Sequence, residues 1–153
     1  MKTSSLIATV IAVLGLSLSH AFAKTPPGWT DDYTKALAQA KAEKKAVLLD
    51  ITGSDWCPWC IKLDKEVFDK PEFKAYAKEN LVLVKVDFPQ GTKLPKHTQK
   101  QNDELKSKFK AEGFPTTVLV DAEGKEVWKN EGYMEGGPSA FIKALNKVLK
   151  KGS

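Results

Sequence analysis

The sequence predicts one α/β domain in which helices pack over a β-sheet, and three observations carry that prediction. Residues 46–51 and 81–87 are short, nearly unbroken apolar runs of the kind that become strands buried on both faces. Segments of helical period precede and separate them. Two further strand-like runs, joined at Asp121-Ala122-Glu123-Gly124, are followed by an amphipathic closing helix.

In chain order, Trp29-Thr30-Asp31-Asp32 opens a helical segment with Thr30 or Asp31 as candidate caps, and Tyr33, Ala36, Leu37 and Ala40 recur at helical spacing. The strand at 46–51 stops at Thr52-Gly53-Ser54. Residues 57–68 return to helical period through Cys60, Leu63 and Val67, and Pro71 suits the first position of another helix reaching Lys78. After the strand at 81–87, residues 88–101 carry Pro89, Gly91 and Pro95 without a clean period and read as a long loop. A short helix over 103–109 follows it, ending near Gly113. Strands at 116–121 and 125–129 meet at a tight turn where Gly124 tolerates a positive φ. Pro138 then pre-sets a last helix with Phe141, Ile142, Leu145, Val148 and Leu149 on its apolar face.

Residues 1–23 read as a cleaved secretory leader: a basic start at Lys2, an apolar run from Leu6 to Leu18, and the small-x-small pattern Ala21-Phe22-Ala23. The run falls short of the roughly 20 apolar residues of a membrane span. Residues 24–153 are then a single domain, enough for one hydrophobic core and too few for two. The full chain of 153 residues has a net charge of +5, and all 24 of its basic residues are lysine. Only Lys93, Lys96, Lys100, Lys106, Lys108 and Lys110 cluster. They read as a solvated basic face that could steer an acidic partner, and nucleic-acid binding is not expected.

The two cysteines, Cys57 and Cys60, lie in TGSDWCPWCIK. Export would let a disulfide persist. A Cys-x-x-Cys bridge closes too small a loop to act as an effective staple. A zinc site lacks ligands, since His97 is the one histidine after residue 23, and c-type haem attachment fails because Ile61 follows the second cysteine. No metal or cofactor is expected. Cys57 stands where a helix N-terminus should begin, with Pro58 at the first helical position. Its sulfur can accept hydrogen bonds from the Trp59 and Cys60 amides, which lowers the thiol pKa and makes Cys57 the attacking sulfur. Cys60, one turn in, is the buried resolving sulfur.

Trp-Cys-x-x-Cys between strand and helix, joined to Gly113-Phe114-Pro115-Thr116-Thr117 before a hairpin and closing helix, resembles the thioredoxin superfamily from about residue 29 to 149. The motif with its following Lys62-Leu63-Asp64-Lys65-Glu66-Val67-Phe68 is similar to a branch of exported bacterial thioredoxin-like proteins and to the C-terminal domain of the DsbD thiol:disulfide interchange protein. The resemblance implies a thioredoxin-like fold, with a central mixed β-sheet flanked by helices. It also implies a cis Pro115 beside the disulfide, with the Phe114 backbone holding substrate. A buried aspartate and a lysine on the adjacent strand match Asp50 and Lys85. Asp50 precedes Cys57 by seven residues where the family pattern has six, so the extra residue must be absorbed after the strand if Asp50 is to relay protons to Cys60. Pro58-Trp59 replaces the usual Gly-Pro, and Trp59 with Trp56 is expected to form an aromatic collar that favours exposed apolar segments around a client disulfide.

The implied activity is that of a thiol:disulfide oxidoreductase, reducing or interchanging disulfides of exported proteins in the periplasm, acting as a soluble monomer supplied with electrons by a membrane reductant conductor. A dithiol oxidant and a non-catalytic partner-binding module are the alternatives.

Overall fold

The computed structural model describes residues 25–150, and the expected leader at 1–23 lies outside the described residues. Strands β1 (Trp29–Thr30), β2 (Ala46–Thr52), β3 (Leu81–Asp87), β4 (Thr116–Val120) and β5 (Glu126–Glu131) form one sheet in the order β1-β3-β2-β4-β5. β3 runs parallel to β1 and β2, whereas β4 is antiparallel to β2 and β5, so the sheet is mixed. Helices α1 (Tyr33–Glu43), α2 (Pro58–Leu63), α3 (Pro71–Asn80), α4 (Lys96–Lys108) and α5 (Gly137–Leu149) cover it.

Strand periodicity divides the core between the two sheet faces. Val47, Leu49 and Ile51 of β2 meet Val84 and Val86 of β3, Val118 of β4, Ala36 and Ala40 of α1, and Leu105 of α4. Leu48, Leu83 and Leu119 point the other way, onto Leu63, Phe73, Phe141 and Leu145. On that second face Leu83, Leu48, Leu119 and Trp128 form a row of directly paired residues. Two positions along, the next row is Lys85, Asp50, Thr117 and Asn130. An apolar row thus gives way to a polar one toward the end of the sheet that carries the cysteines.

Three sequence expectations change. Trp29 and Thr30 form a strand, pairing with Leu83 and Val84. The helix therefore starts later, with Asp32 rather than Thr30 or Asp31 as its cap, its side chain accepting from the Lys35 amide at 2.9 Å. The single helix expected over 57–68 is α2 followed by a π-helical turn, Asp64–Phe68, closed by the Asp69 amide on the Asp64 carbonyl at 2.8 Å. The wider turn buries Val67 and Phe68 side by side. The loop expected over 88–101 ends at Pro95, because α4 begins at Lys96. Its buried anchors are Thr98, Asn102 and Leu105, two of them polar. Asn102 donates to the Asp87 carbonyl at 2.9 Å, and Gln101 accepts from the Tyr33 amide and donates to the Asp31 carbonyl. A helix docked by hydrogen bonds has no apolar period to read.

The final strand also runs one residue later at its start and two at its end than expected, since its ladder is set by Thr116 pairing with Glu131. The lysine cluster is only partly a solvated face. Lys106 sits over the rings of Phe114 and Phe88, and Lys108 over those of Phe109 and Tyr33.

Candidate active site

β2 delivers the chain to the motif, and a turn after Thr52 re-aims it. The Gly53 carbonyl accepts from the Cys57 amide at 2.9 Å and from the Trp56 amide at 3.3 Å, and β2 stays regular through Thr52. Gly53 is required by close approach: a Cβ there would lie 2.4 Å from Cε2 of Trp56, whose indole folds back over the glycine. The ring is held by its Nε1, which donates to the Phe88 carbonyl at 2.8 Å, and by an edge contact with Phe114.

The turn is tied on its other side to the segment after β3. Ser54 donates through its amide and hydroxyl to the two carboxylate oxygens of Asp87, at 2.9 and 2.5 Å. Asp55 accepts from the amides of Gln90 and Gly91, at 3.0 and 2.7 Å. Those two bonds, the Gln90 amide first, hold the Asp55 carboxyl below the ordinary aspartate range.

Cys57 caps α2 and is disulfide-bonded to Cys60, with Pro58 in the first turn. Its Sγ accepts from the Cys60 amide at 3.3 Å, which accounts for one of the two capping bonds expected. Both cysteines are buried, Cys57 at 4% exposure and Cys60 at 1%. Trp59 and Trp56 stand open beside them, at 56% and 38%. They do not share one stack: Trp56 leans on Phe114, while Trp59 tilts against Tyr133, with Lys62 Nζ over both of the latter rings. The Phe114–Pro115 peptide is cis, and the Trp56–Phe114 contact places this segment alongside the turn that leads into Cys57.

Beneath α2 lies the ionic part of the polar row. Lys85 Nζ is 2.8 Å from Asp50 Oδ2 and 2.6 Å from Asp64 Oδ1, and Lys85 and Asp50 are both buried. Burial raises the Asp50 carboxyl to about 6; Lys85 opposes the rise, and the charges of Asp64 and Asp87 add to it. Burial alone would weaken the Lys85 ammonium, but the charges of Asp50 and Asp64 outweigh it and hold its pKa above the ordinary lysine value. Asp64 was not among the residues expected from the sequence. The available signal was its spacing of four from Cys60, which places it one turn further along the same helical face.

The chain belongs to the thioredoxin-like domain family, which matches residues 33–149. It is related to thiol:disulfide proteins of the DsbH and DsbD kinds. The disulfide bond reductase DsbH of Chlamydia pneumoniae is 40% identical over 120 residues, covering 78% of this chain and 72% of that protein. A solved DsbH oxidoreductase is 34% identical, with a TM-score of 0.75 over 97% of this chain and 95% of that one. The thiol:disulfide interchange protein DsbD of Pseudoalteromonas atlantica is 29% identical over 121 residues, of which the chain spans 19% of the length. Membership of this family and the Cys57–Cys60 disulfide define a redox-active, disulfide-handling oxidoreductase.

Proposed function

We propose that this protein is a disulfide reductase or interchange enzyme for exported proteins, working in the periplasm on clients whose disulfides lie in exposed apolar segments. The observation that carries the reading is Cys57 as cap of α2, its sulfur accepting the Cys60 amide and joined to Cys60, with Trp56 and Trp59 exposed on either side. The name of the Chlamydia pneumoniae relative supports reduction as the direction.

In the reduced protein the Cys57 thiolate attacks one sulfur of a client disulfide. A Cys57–client mixed disulfide forms, and the other client sulfur leaves as a thiolate and takes up a proton. Cys60 gives its proton to Asp50 and attacks Cys57 Sγ. The Cys57–Cys60 bond forms, the second client thiol is released, and two electrons have passed to the client. Lys85 keeps Asp50 available as a carboxylate, and the segment Phe114-Pro115 presents backbone to the client chain. A membrane dithiol donor of the DsbD type restores the reduced form, and the protein works as a soluble monomer.

Insulin reduction by the wild type, with no turnover by Cys57→Ser and a trapped mixed disulfide in Cys60→Ser, is the expected result. Equal activity of wild type and Cys57→Ser would leave a binding module instead. A reduction potential near that of the strongest dithiol oxidants, about −120 mV, would reverse the direction.

A further inference from the structure

Four buried side-chain oxygens meet no hydrogen-bond partner among the described residues: Asp50 Oδ1, Thr52 Oγ1, Thr117 Oγ1 and Tyr33 Oη. Three of them belong to one place. Asp50 and Thr117 are directly opposite in the β2–β4 ladder. Thr52 is two residues from Asp50 on the same strand and therefore on the same face. That face is the one under α2, where Leu63 packs beside Leu48 and Leu119. Directly opposed residues such as Asp50 and Thr117 hold their Cβ atoms about 5 Å apart, so a side-chain rotation or one water joins the hydroxyl to the carboxylate oxygen.

Both threonines are wholly buried, at 0% exposure. A buried hydroxyl without a partner costs more than a methyl in its place, so valine is the expected residue at a position that only fills space. Two threonines flanking one half-satisfied carboxylate answer a polar need. Lys85 takes one oxygen of Asp50 and leaves the other without a partner.

We propose that Thr117 and Thr52 are positioning residues for Asp50, their hydroxyls donating to its Oδ1 after a side-chain rotation or through a single bound water and so setting the charge state of that carboxylate. The charged groups that act on this carboxylate are Lys85 and Asp87 from β3 and Asp64 from the π-helical turn. Among them Lys85 is the one cation. A hydroxyl donor favours the charged carboxylate, so its removal moves the Asp50 titration upward.

The inference rests on the proposed pairing of Asp50 with Cys60 only for its consequence in turnover. Its test reads Asp50 itself: the carboxyl carbon of Asp50 is titrated by NMR in the wild type, Thr117→Val and Thr117→Ser. The isosteric valine is expected to raise the midpoint by at least half a pH unit, about threefold in the protonation constant, and serine to restore it. Thr52→Val should move it the same way, and it carries the test if Thr117→Val does not fold. An Asp50 midpoint that is unchanged in the valine variants overturns the proposal. Failure of the Asp50–Cys60 pairing shows elsewhere, as an Asp50→Asn variant with an unaltered pH profile of thiol exchange.

Discussion

Lys85 Nζ lies 2.8 Å from Asp50 Oδ2, an ion pair between directly paired residues of β3 and β2 with both side chains buried. The same ammonium also holds Asp64, so one cation compensates two carboxylates. Removing one partner of a buried pair leaves an uncompensated charge, at a cost of about 3–5 kcal/mol. Lys85→Met should lose stability in this range at pH 7.5, measured by urea unfolding. Because Asp50, whose carboxyl is raised to about 6 by burial, can neutralise itself by taking up a proton, the loss should shrink by pH 5. A loss independent of pH would mean that packing, not charge, is what Lys85 supplies.

Asp50 gives a signed pH dependence. Its folded-state carboxyl, raised by burial to about 6 from 3.8, binds a proton more tightly than in the unfolded chain. The corresponding stability is fully present below the unfolded value and is lost as pH rises through about 6. Relative to Asp50→Asn, which cannot titrate, the wild type should lose roughly 2–3 kcal/mol between pH 4 and pH 7.5. Parallel stability curves for the two proteins would refute the raised value.

The same titration should appear in kinetics. If Asp50 accepts the Cys60 proton, resolution of the mixed disulfide speeds up as Asp50 ionises, so the rate rises with pH through about 6. Stopped-flow thiol exchange on Asp50→Asn should show that step removed and the rate at pH 7 lowered about tenfold or more.

Gly53 is held by the Trp56 indole, not by its dihedral freedom. Gly53→Ala forces a Cβ into the ring at 2.4 Å, so the indole must leave and the Nε1 bond to Phe88 must break. Overpacking of this kind costs about 1–3 kcal/mol. A red shift in tryptophan emission and a lower unfolding midpoint are the measurements; an unchanged spectrum would place the indole elsewhere.

Asp55 ties the turn to residues 90–91 through charge-assisted bonds. Its carboxyl is held below the ordinary value by them, so their contribution is present above the unfolded pKa and is lost as pH falls through the folded one. In Asp55→Ala the amides of Gln90 and Gly91 should exchange with solvent about tenfold faster or more at pH 7, with Asp121, which caps a distant turn, unaffected as an acceptor. Unchanged exchange at both amides would show that the loop is held by other contacts.

Much of the fold was legible in the residues. The runs at 46–51 and 81–87 became β2 and β3, and the closing helix began within a residue of Pro138. Pro58 after Cys57 located the start of α2, because a proline suits the first turn and a side-chain acceptor suits the cap. Lys85 within an apolar strand announced a partner, since a buried ammonium must find an anion.

The misses share a cause. The first half of α4, ahead of the helix expected over 103–109, was hidden because Thr98, Gln101 and Asn102 dock it by hydrogen bonds, which leave no hydrophobic period. β1 was read as the start of a helix because two residues carry no period at all; only pairing with β3 makes them a strand. Asp64 was not singled out, because only the folded chain brings it to 2.6 Å from Lys85.

By itself, then, the sequence determined the chain order of the four longer strands and the five α-helices, the redox pair and the helix end that Cys57 caps, because these depend on residues close together in the chain. The tertiary structure decided that Lys85, Asp50 and Thr117 lie in one row, that Asp64 shares the lysine, and that residues 54–56 are tied to 87–91. Those relations join positions up to 67 apart in sequence. Ladder register and packing set them, and no local pattern of residues encodes them.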